Sequence, residues 1–280
     1  MHELHPLQID GLISRSLEED WGYGDWTTDL CVAKTSIASA RIVAKERLLV
    51  CGIEVAKAVF AKVDPDLKLE TAAESGSSVE SGAELLRITG RARSILKGER
   101  VALNLFARMC GIATITRQFV DALDGTKAQL LDTRKTTPGL RILEKFATST
   151  GGARNHRFGL CDGVLVKENH IRAAGGISKA LERLHESLPP TLKIEVETTN
   201  LQEVEEALSA GADIIMLDNM SHQTMREAVS IVQGRALLEA SGNVKLDTVR
   251  GIAECGVDFI STGATIHSAR WSDLSLLFET

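Results

Sequence analysis

From about residue 128 onward the chain repeats one unit, a short apolar run followed by a helical pattern. The runs are QLLDT (129–133), GVLVK (163–167), LKIEVET (192–198), DIIMLDN (213–219), ALLEASG (236–242) and VDFISTG (257–263), at spacings of 21 to 34 residues. Strands alternating with helices at such spacings imply parallel β/α units, and strands this continuously apolar need both faces covered. The intervening stretches carry helix punctuation. In LQEVEEALSAG, Asn200 followed by Glu203 resembles a capping box, and Gly211 supplies a stop. A β/α barrel fits best. An open doubly wound sheet is the alternative, but no G-x-G-x-x-G follows a strand.

The first hundred residues read differently. A helical pattern around Ile9 to Glu19 leads to the acidic turn DWGYGDWTTD. Strand-like alternation follows in SIASARIVAKERLLVCG, then a helix near Glu54 to Lys62 and further strand and turn material up to Thr89. This reads as a separate α+β domain. A long helix from about Ala92 to Leu123, expected to break or bend near Gly111, joins it to the barrel. The domains are therefore placed at 1–110 and 111–267, with the tail 268–280 expected to pack on the first. A chain of 280 residues accommodates two such domains.

Composition narrows the partners. A net charge of −6 and 11 aromatic residues lack the electrostatic footprint of a nucleic-acid binder. No apolar run is long enough to span a membrane and the start, MHELHPLQID, lacks the features of a leader, so a cytoplasmic protein is expected. Five scattered cysteines without a C-x-x-C pair indicate reduced structural thiols rather than a zinc site or disulfide framework. Charge is nevertheless uneven: residues 132–171 carry a net +3 and the remainder −9. A basic island on an acidic protein focuses field on a small anion.

Barrel enzymes place their chemistry where strands end. Here those ends present Thr133, Arg134 and Lys135; Lys167; Glu197; Asp218 and Asn219; Ser241, Gly242 and Asn243; and Thr262, Gly263 and Ala264. Any one of these could be polarity resuming after a strand. As a set, cations from the early strands and carboxylates from the middle ones suit a multiply anionic substrate with a divalent metal. The Ser-Gly-Asn and Thr-Gly-Ala turns expose backbone N–H groups of the kind that cradle phosphate. The basic island adds His156 and Arg157. His156 could equally be a capped loop histidine, whereas His170 reads as structural and His185 and His222 as packing or surface. Upstream, Arg93, Lys97, Arg100, Asn104 and Arg108 share one helical face, either as a solvated basic stripe or overlooking a bound anion across a subunit interface. With no nucleophile motif, catalysis is expected to rest on electrostatics and positioning.

The run LLDTRKTTPGLRILEKFATSTGGARNHRFGLCDGVLVKENHI resembles the signature of the quinolinate phosphoribosyltransferase family (nicotinate-nucleotide pyrophosphorylase, carboxylating). GDWTTD, GERVALNLFARMCGIAT, KIEVET, MLDNM, LEASGN and ISTGATIHSA extend the likeness over almost the whole chain. Departures are few: Trp26, Cys110, Thr148, Ser149 and Ala153 differ from the usual residues, and none is a proposed ligand. The resemblance implies a type II phosphoribosyltransferase fold, an N-terminal α/β sandwich with an incomplete β/α barrel, and a homodimer with shared active sites. It further implies that quinolinate and 5-phosphoribosyl-1-pyrophosphate (PRPP), with Mg2+, give nicotinate mononucleotide, pyrophosphate and CO2.

Carried over residue by residue, Arg134, His156, Arg157 and Lys167 would hold the two carboxylates beside Thr133, with Arg100 arriving from the partner subunit. Lys135, Glu197 and Asp218 would be catalytic, facing the ribose and the metal pyrophosphate, with Glu197 and Asp218 the indirect metal candidates. Ser241 to Asn243, Thr262 to Ala264 and His267 would hold the 5-phosphate. Two other readings compete: a molybdenum-associated relative of the same superfamily, and a non-catalytic sensor of phosphorylated metabolites.

Overall fold

The structure is a computed structural model describing residues 4–279. Residues 1–3 and 280, the outermost parts of the expected first domain and tail, lie outside the described residues. The chain opens with α1 (Pro6–Trp21), α2 (Trp26–Cys31), β1 (Ile37–Ala44), β2 (Leu48–Leu49) and α3 (Ile53–Val63). Next come β3 (Lys68–Thr71), β4 (Ser78–Val79), β5 (Glu84–Arg91) and the long α4 (Ala92–Ala122). The alternating part runs β6 (Gln129–Leu131), α5 (Arg141–Gly151), β7 (Val164–Val166), α6 (Glu168–Ala174), α7 (Ile177–Ser187), β8 (Ile194–Thr198) and α8 (Leu201–Ser209). It continues through β9 (Ile214–Asp218), α9 (His222–Val232), β10 (Leu237–Ser241), α10 (Val249–Ala253), β11 (Phe259–Ser261) and α11 (Ala264–His267) to β12 (Leu274–Phe278).

Two compact units result. The first comprises the residues up to Arg117, Thr136–Gly152 and everything from Ile266 onward; the second comprises Gln118–Lys135 and Ala153–Thr265. Residues 111–117, 136–152 and 266–267, expected with the barrel, thus group with the first unit. The reason is apolar: Leu143 and Ala147 of α5 and Ile266 are buried in the same cluster as Phe60 and Phe106.

In the first unit an antiparallel sheet of order β12-β1-β5-β3 supplies one layer, and β2 pairs with β4. The tail closes the sheet edge, with Leu274 opposite Ala44 and Phe278 opposite Ala40. Apolar faces of α1 (Leu12, Ile13, Leu17), α3 (Val55, Val59, Phe60) and α4 (Phe106, Met109) meet the buried residues of β1 and β5 in one hydrophobic cluster. Burying each such large side chain is worth about 1.5–3 kcal/mol.

Two expectations about α4 are corrected. The helix passes Gly111 without a break. The glycine is there for access: a Cβ at this position would lie 1.9 Å from the Arg270 carbonyl oxygen, and Ser272 N–H donates to the Ala107 carbonyl at 3.1 Å. Nor is the basic face a solvated stripe. Arg93 donates to the Val32 and Asp29 carbonyls, Lys97 pairs with Asp29 at 2.8 Å, and Arg108 pairs with buried Glu144 at 2.8 Å and bonds the carbonyls of Ile266 and Ala269. Arg100 is left exposed and Asn104 half-buried.

The second unit contains the six anticipated strands, all parallel, in the order β6-β11-β10-β9-β8-β7. The first strand pairs with the last, and β6 and β7 are the two edges. A single parallel bridge from Leu131 to Arg154 lies on the free side of β6. This is an incomplete β/α barrel. The α8 start differs in detail from a capping box: Asn200 Oδ1 accepts Glu203 N–H at 3.0 Å, but the Glu203 carboxylate takes the N–H of Thr199, one residue earlier than expected. No helix of the described residues is long and apolar enough to cross a membrane.

Candidate active site

At the carboxyl ends of the barrel strands lies a pocket of about 810 Å³, built wholly from the second unit. Because side chains alternate along a strand, every second residue faces it. From β7 comes Leu165 and from just past its end Lys167, from β8 Glu197, from β9 Met216 and Asp218, and from β10 Glu239 and Ser241. Thr133, Arg134 and Lys135 follow β6, while His156 and Arg157 come from the loop after α5. The charges segregate by strand order. Arg134, Lys135 and Lys167 flank the two edges β6 and β7, and the carboxylates of Glu197 and Asp218 sit on the interior strands β8 and β9. Lys167 Nζ lies 3.6 Å from Glu197 Oε2, where the two groups of charge meet.

Several anticipated residues lie elsewhere. Ser241, Gly242 and Asn243 line the pocket, whereas Thr262, Gly263 and Ala264 are not among its lining residues. Thr262 and Gly263 are buried, and the Ala264 N–H is engaged by Thr262 Oγ1 at 3.1 Å. Arg100 and His267 belong to the first unit, both exposed, His267 Nδ1 sharing a hydrogen bond with Ser268. The basic island is also divided: Arg141 and Lys145 are in the first unit, and Arg154 donates outward to Gln129.

The turn after β10 is fixed by Asn219. Asn219 adopts φ +53° and donates to Asp218 Oδ2 at 2.8 Å, while its Oδ1 accepts from Asn243 Nδ2 at 3.0 Å. Gly242, at φ +94°, is obligatory because a Cβ there would meet Asn219 Oδ1 at 2.2 Å. The side chain of Asp218 and the Ser241–Asn243 turn are therefore held by one amide.

The strand-end reading missed two carboxyl groups: Glu239 lines the pocket floor, whereas Glu195 is not among the lining residues and is buried beside His156. Glu195 on β8 and Glu239 on β10 are buried inside apolar strands, 4% and 1% exposed. Both follow the period-2 face of Glu197 and Ser241, and a charged residue within an apolar strand was the signal available. His156 Nε2 lies 2.9 Å from Glu195 Oε2 and 3.8 Å from Glu239 Oε2. Burial, then the neighbouring Glu195 carboxylate, pushes the Glu239 carboxyl well above the usual range. His170, read as structural, lines the same pocket while its Nδ1 accepts the Lys167 N–H at 3.0 Å, closing the start of α6.

Asp132, fully buried, anchors the adjoining loop: its Oδ1 accepts the His156 N–H at 2.9 Å and its Oδ2 the Asn155 amide at 2.7 Å. Burial, followed by the nearby Arg134 charge, lowers the Arg157 guanidinium from its ordinary value. Two crowded guanidinium groups in a partly desolvated wall favour an anionic guest.

Comparison with known proteins agrees with this architecture. Residues 25–110 match the family described as quinolinate phosphoribosyl transferase, N-terminal domain, and residues 112–277 match its C-terminal domain. A probable nicotinate-nucleotide pyrophosphorylase (carboxylating) of Synechocystis is 47% identical over 271 residues, covering 96% of this chain and 92% of the relative. A quinolinate phosphoribosyltransferase (decarboxylating) of Nicotiana tabacum is 42% identical over 99% of this chain and 84% of its own. Among solved structures, the nicotinate-nucleotide pyrophosphorylase of Francisella tularensis superposes with a TM-score of 0.95 at 39% identity, covering 99% and 98% of the two chains.

Proposed function

The chain belongs to the quinolinate phosphoribosyltransferase family, and we propose that its barrel-mouth pocket is where quinolinate and PRPP meet. The enzyme transfers phosphoribosyl from PRPP to quinolinate with loss of CO2, giving nicotinate mononucleotide and pyrophosphate for de novo NAD synthesis. The observation that carries the assignment of the site is the segregation of cations and carboxylates by strand within one pocket. Neither a molybdenum-associated relative nor a sensor without turnover is favoured, because the named relatives are carboxylating pyrophosphorylases.

In this reading Arg134, Arg157 and Lys167 neutralise the two adjacent carboxylates of quinolinate, with Thr133 and the His156 ring completing the wall. The pyridine nitrogen then attacks the anomeric carbon of PRPP, the C–O bond to pyrophosphate breaks, and its electron pair leaves with pyrophosphate. Positive character develops on the sugar, and Glu197 and Asp218 stabilise it from the interior strands while Lys135 faces the departing anion. Ser241, Gly242 and Asn243 offer hydroxyl, backbone and amide groups to the 5-phosphate, and the Thr262–Ala264 turn and His267 are further candidates for it. Decarboxylation follows at the carboxylate next to the ring nitrogen, where the N-ribosylated ring accepts the electron pair and that carbon takes a proton.

Mg2+ fits the donor set, since Glu197 and Asp218 offer hard oxygen ligands on adjacent strands, directly or through water. When bound with PRPP it supplies charge neutralisation at the pyrophosphate. The homodimer belongs to the same proposal. Arg100 is exposed on α4, and Trp26 and Leu30, four residues apart on α2, are 75% and 78% exposed, an apolar face suited to a second copy. A higher oligomer is left open. The cytoplasm is the proposed location, in keeping with five free thiols.

The test is direct. Purified protein given quinolinate, PRPP and Mg2+ should yield nicotinate mononucleotide, pyrophosphate and CO2 in equal amounts, with nicotinate a poor substitute for quinolinate. Absence of product, or preference for nicotinate, would overturn the reading.

A further inference from the structure

We infer that Glu195 is a positioning residue for this reaction: by accepting the Nε2–H of His156 it locks the imidazole that holds the Arg157 main chain, and so sets where the Arg157 guanidinium meets the substrate. The inference rests on the pocket being the quinolinate site.

The His156 side chain faces the pocket, yet both of its ring nitrogens are engaged within the protein. Nε2 meets Glu195 Oε2 at 2.9 Å, and Nδ1 accepts the backbone N–H of Arg157 at 2.8 Å. An Nδ1 that accepts carries no proton, so the geometry requires the neutral tautomer protonated at Nε2. A carboxylate is the partner that selects this tautomer and fixes the ring plane. The His156 main chain is pinned separately by Asp132. The imidazole thus becomes a rigid spacer between the buried floor and Arg157 rather than a donor to the substrate carboxylates.

Arg157 needs such a spacer. Its guanidinium Nη1 donates to the Gly163 carbonyl at 3.1 Å, which holds one end, while Arg134 repels it and burial disfavours its charge. The Glu195 charge favours the cation from below. A chain from Glu195 through His156 to the Arg157 backbone supplies the second point of support. The floor is also costly for stability alone. Glu195 and Glu239 each keep an Oε1 atom with no hydrogen-bond partner, a burial that apolar residues of similar size would avoid. Retaining the Glu195 carboxylate there is accounted for by the imidazole it orients.

The experiment compares Glu195→Ala and Glu195→Gln in the full chain with the parent protein. It measures KM for each substrate, kcat, calorimetric quinolinate binding without PRPP, metal content, and the His156 tautomer from imidazole 15N shifts. Gln retains an acceptor for Nε2–H and should keep all kinetic values within about threefold, whereas Ala should raise quinolinate KM and Kd about tenfold or more and leave PRPP KM within about twofold. Equal losses for both substrates in Glu195→Ala, or no loss for quinolinate, would overturn the inference. So would a stoichiometric divalent ion retained only when Glu195 is present, since the carboxylate would then be a ligand. Should Glu195→Ala fail to fold, the parent decides: a His156 protonated at Nδ1 refutes the arrangement. Failure of the parent to bind quinolinate would instead overturn the functional reading, with the tautomer measurement still testing the spacer.

Discussion

A Cβ placed on Gly111 would come within 1.9 Å of the Arg270 carbonyl oxygen, so the C-terminal segment crosses α4 at a point where only hydrogen fits. The obstructing atom is backbone that is itself tied down by the Ser272 to Ala107 hydrogen bond, and it cannot swing aside as a side-chain end could. Gly111→Ala should therefore destabilise the protein by about 1–3 kcal/mol through overpacking, outweighing the ~1 kcal/mol that alanine gains in helix propensity. Gly11 is the internal control. It lies exposed in α1, with only Arg15 Nη1 at 3.5 Å from its would-be Cβ, and Gly11→Ala should stabilise by about 0.5–1 kcal/mol. Denaturant unfolding of both variants checks the opposite signs; a Gly111→Ala protein as stable as the parent would mean that the crossing is not close.

Asp64 at the end of α3 is almost fully buried and accepts from Arg91 Nε at 2.6 Å and from the Asp66 N–H at 3.1 Å. The Arg91 guanidinium, the largest influence, holds its carboxyl well below the usual carboxylate range. A folded-state pKa lower than the unfolded one means that the unfolded chain binds the extra proton, so this contribution is present above about pH 4 and fades as pH falls further. Asp64→Asn should lower Tm by a few degrees at pH 7, with the difference from the parent shrinking below pH 4. A gap that stays constant down to pH 2.5 would show that the ion pair is not its source.

Much of the barrel was legible because its strands are apolar on both faces and stop at polar residues. Lys167, Glu197, Asp218 and Ser241 could be placed on one rim from that alone. What escaped depends on partners distant in sequence. Nothing local to Gly111 announces Arg270, so a glycine in a helix reads as a break or bend. Arg93, Lys97 and Arg108 repeat as a solvated stripe would, but their partners Asp29 and Glu144 come from other elements. The basic run 132–171 is contiguous in sequence yet serves two units, since the apolar face of α5 draws Arg141 and Lys145 into the first. Glu195 and Glu239 were hidden by attention to strand ends, although a carboxylate facing the inside of an apolar barrel is the more unusual feature.

The cysteines offer a check on burial. Cys51 and Cys110 lie side by side in the first unit, with the Cys51 N–H on Cys110 Sγ at 3.4 Å. Burial pushes the Cys51 thiol up to about 12 and raises those of Cys110 and Cys255 as well. Thiolate is the reactive form, so these three should resist alkylation at pH 8 while exposed Cys31 and Cys161 react. A colorimetric thiol titration should count two fast groups in the native protein and five after denaturation; three or more fast groups would contradict the packing around α4 or α10.

The shared active site can be tested by making each subunit defective in a different way. Arg134 sits in the pocket wall and is expected to face a desolvated carboxylate, so Arg134→Ala should cost about 2–5 kcal/mol in transition-state binding, read as kcat/KM for quinolinate. Arg100→Ala should be impaired as well if the exposed Arg100 serves the neighbouring barrel. In a two-fold dimer of one Arg100→Ala and one Arg134→Ala chain, one site then combines an intact Arg134 with the partner subunit's Arg100, and the other site lacks both. Random exchange of equal amounts makes half the dimers mixed, so activity should recover to roughly a quarter of the parental value. Mixed dimers verified by mass spectrometry that show no recovery would place Arg100 outside the site it is proposed to complete.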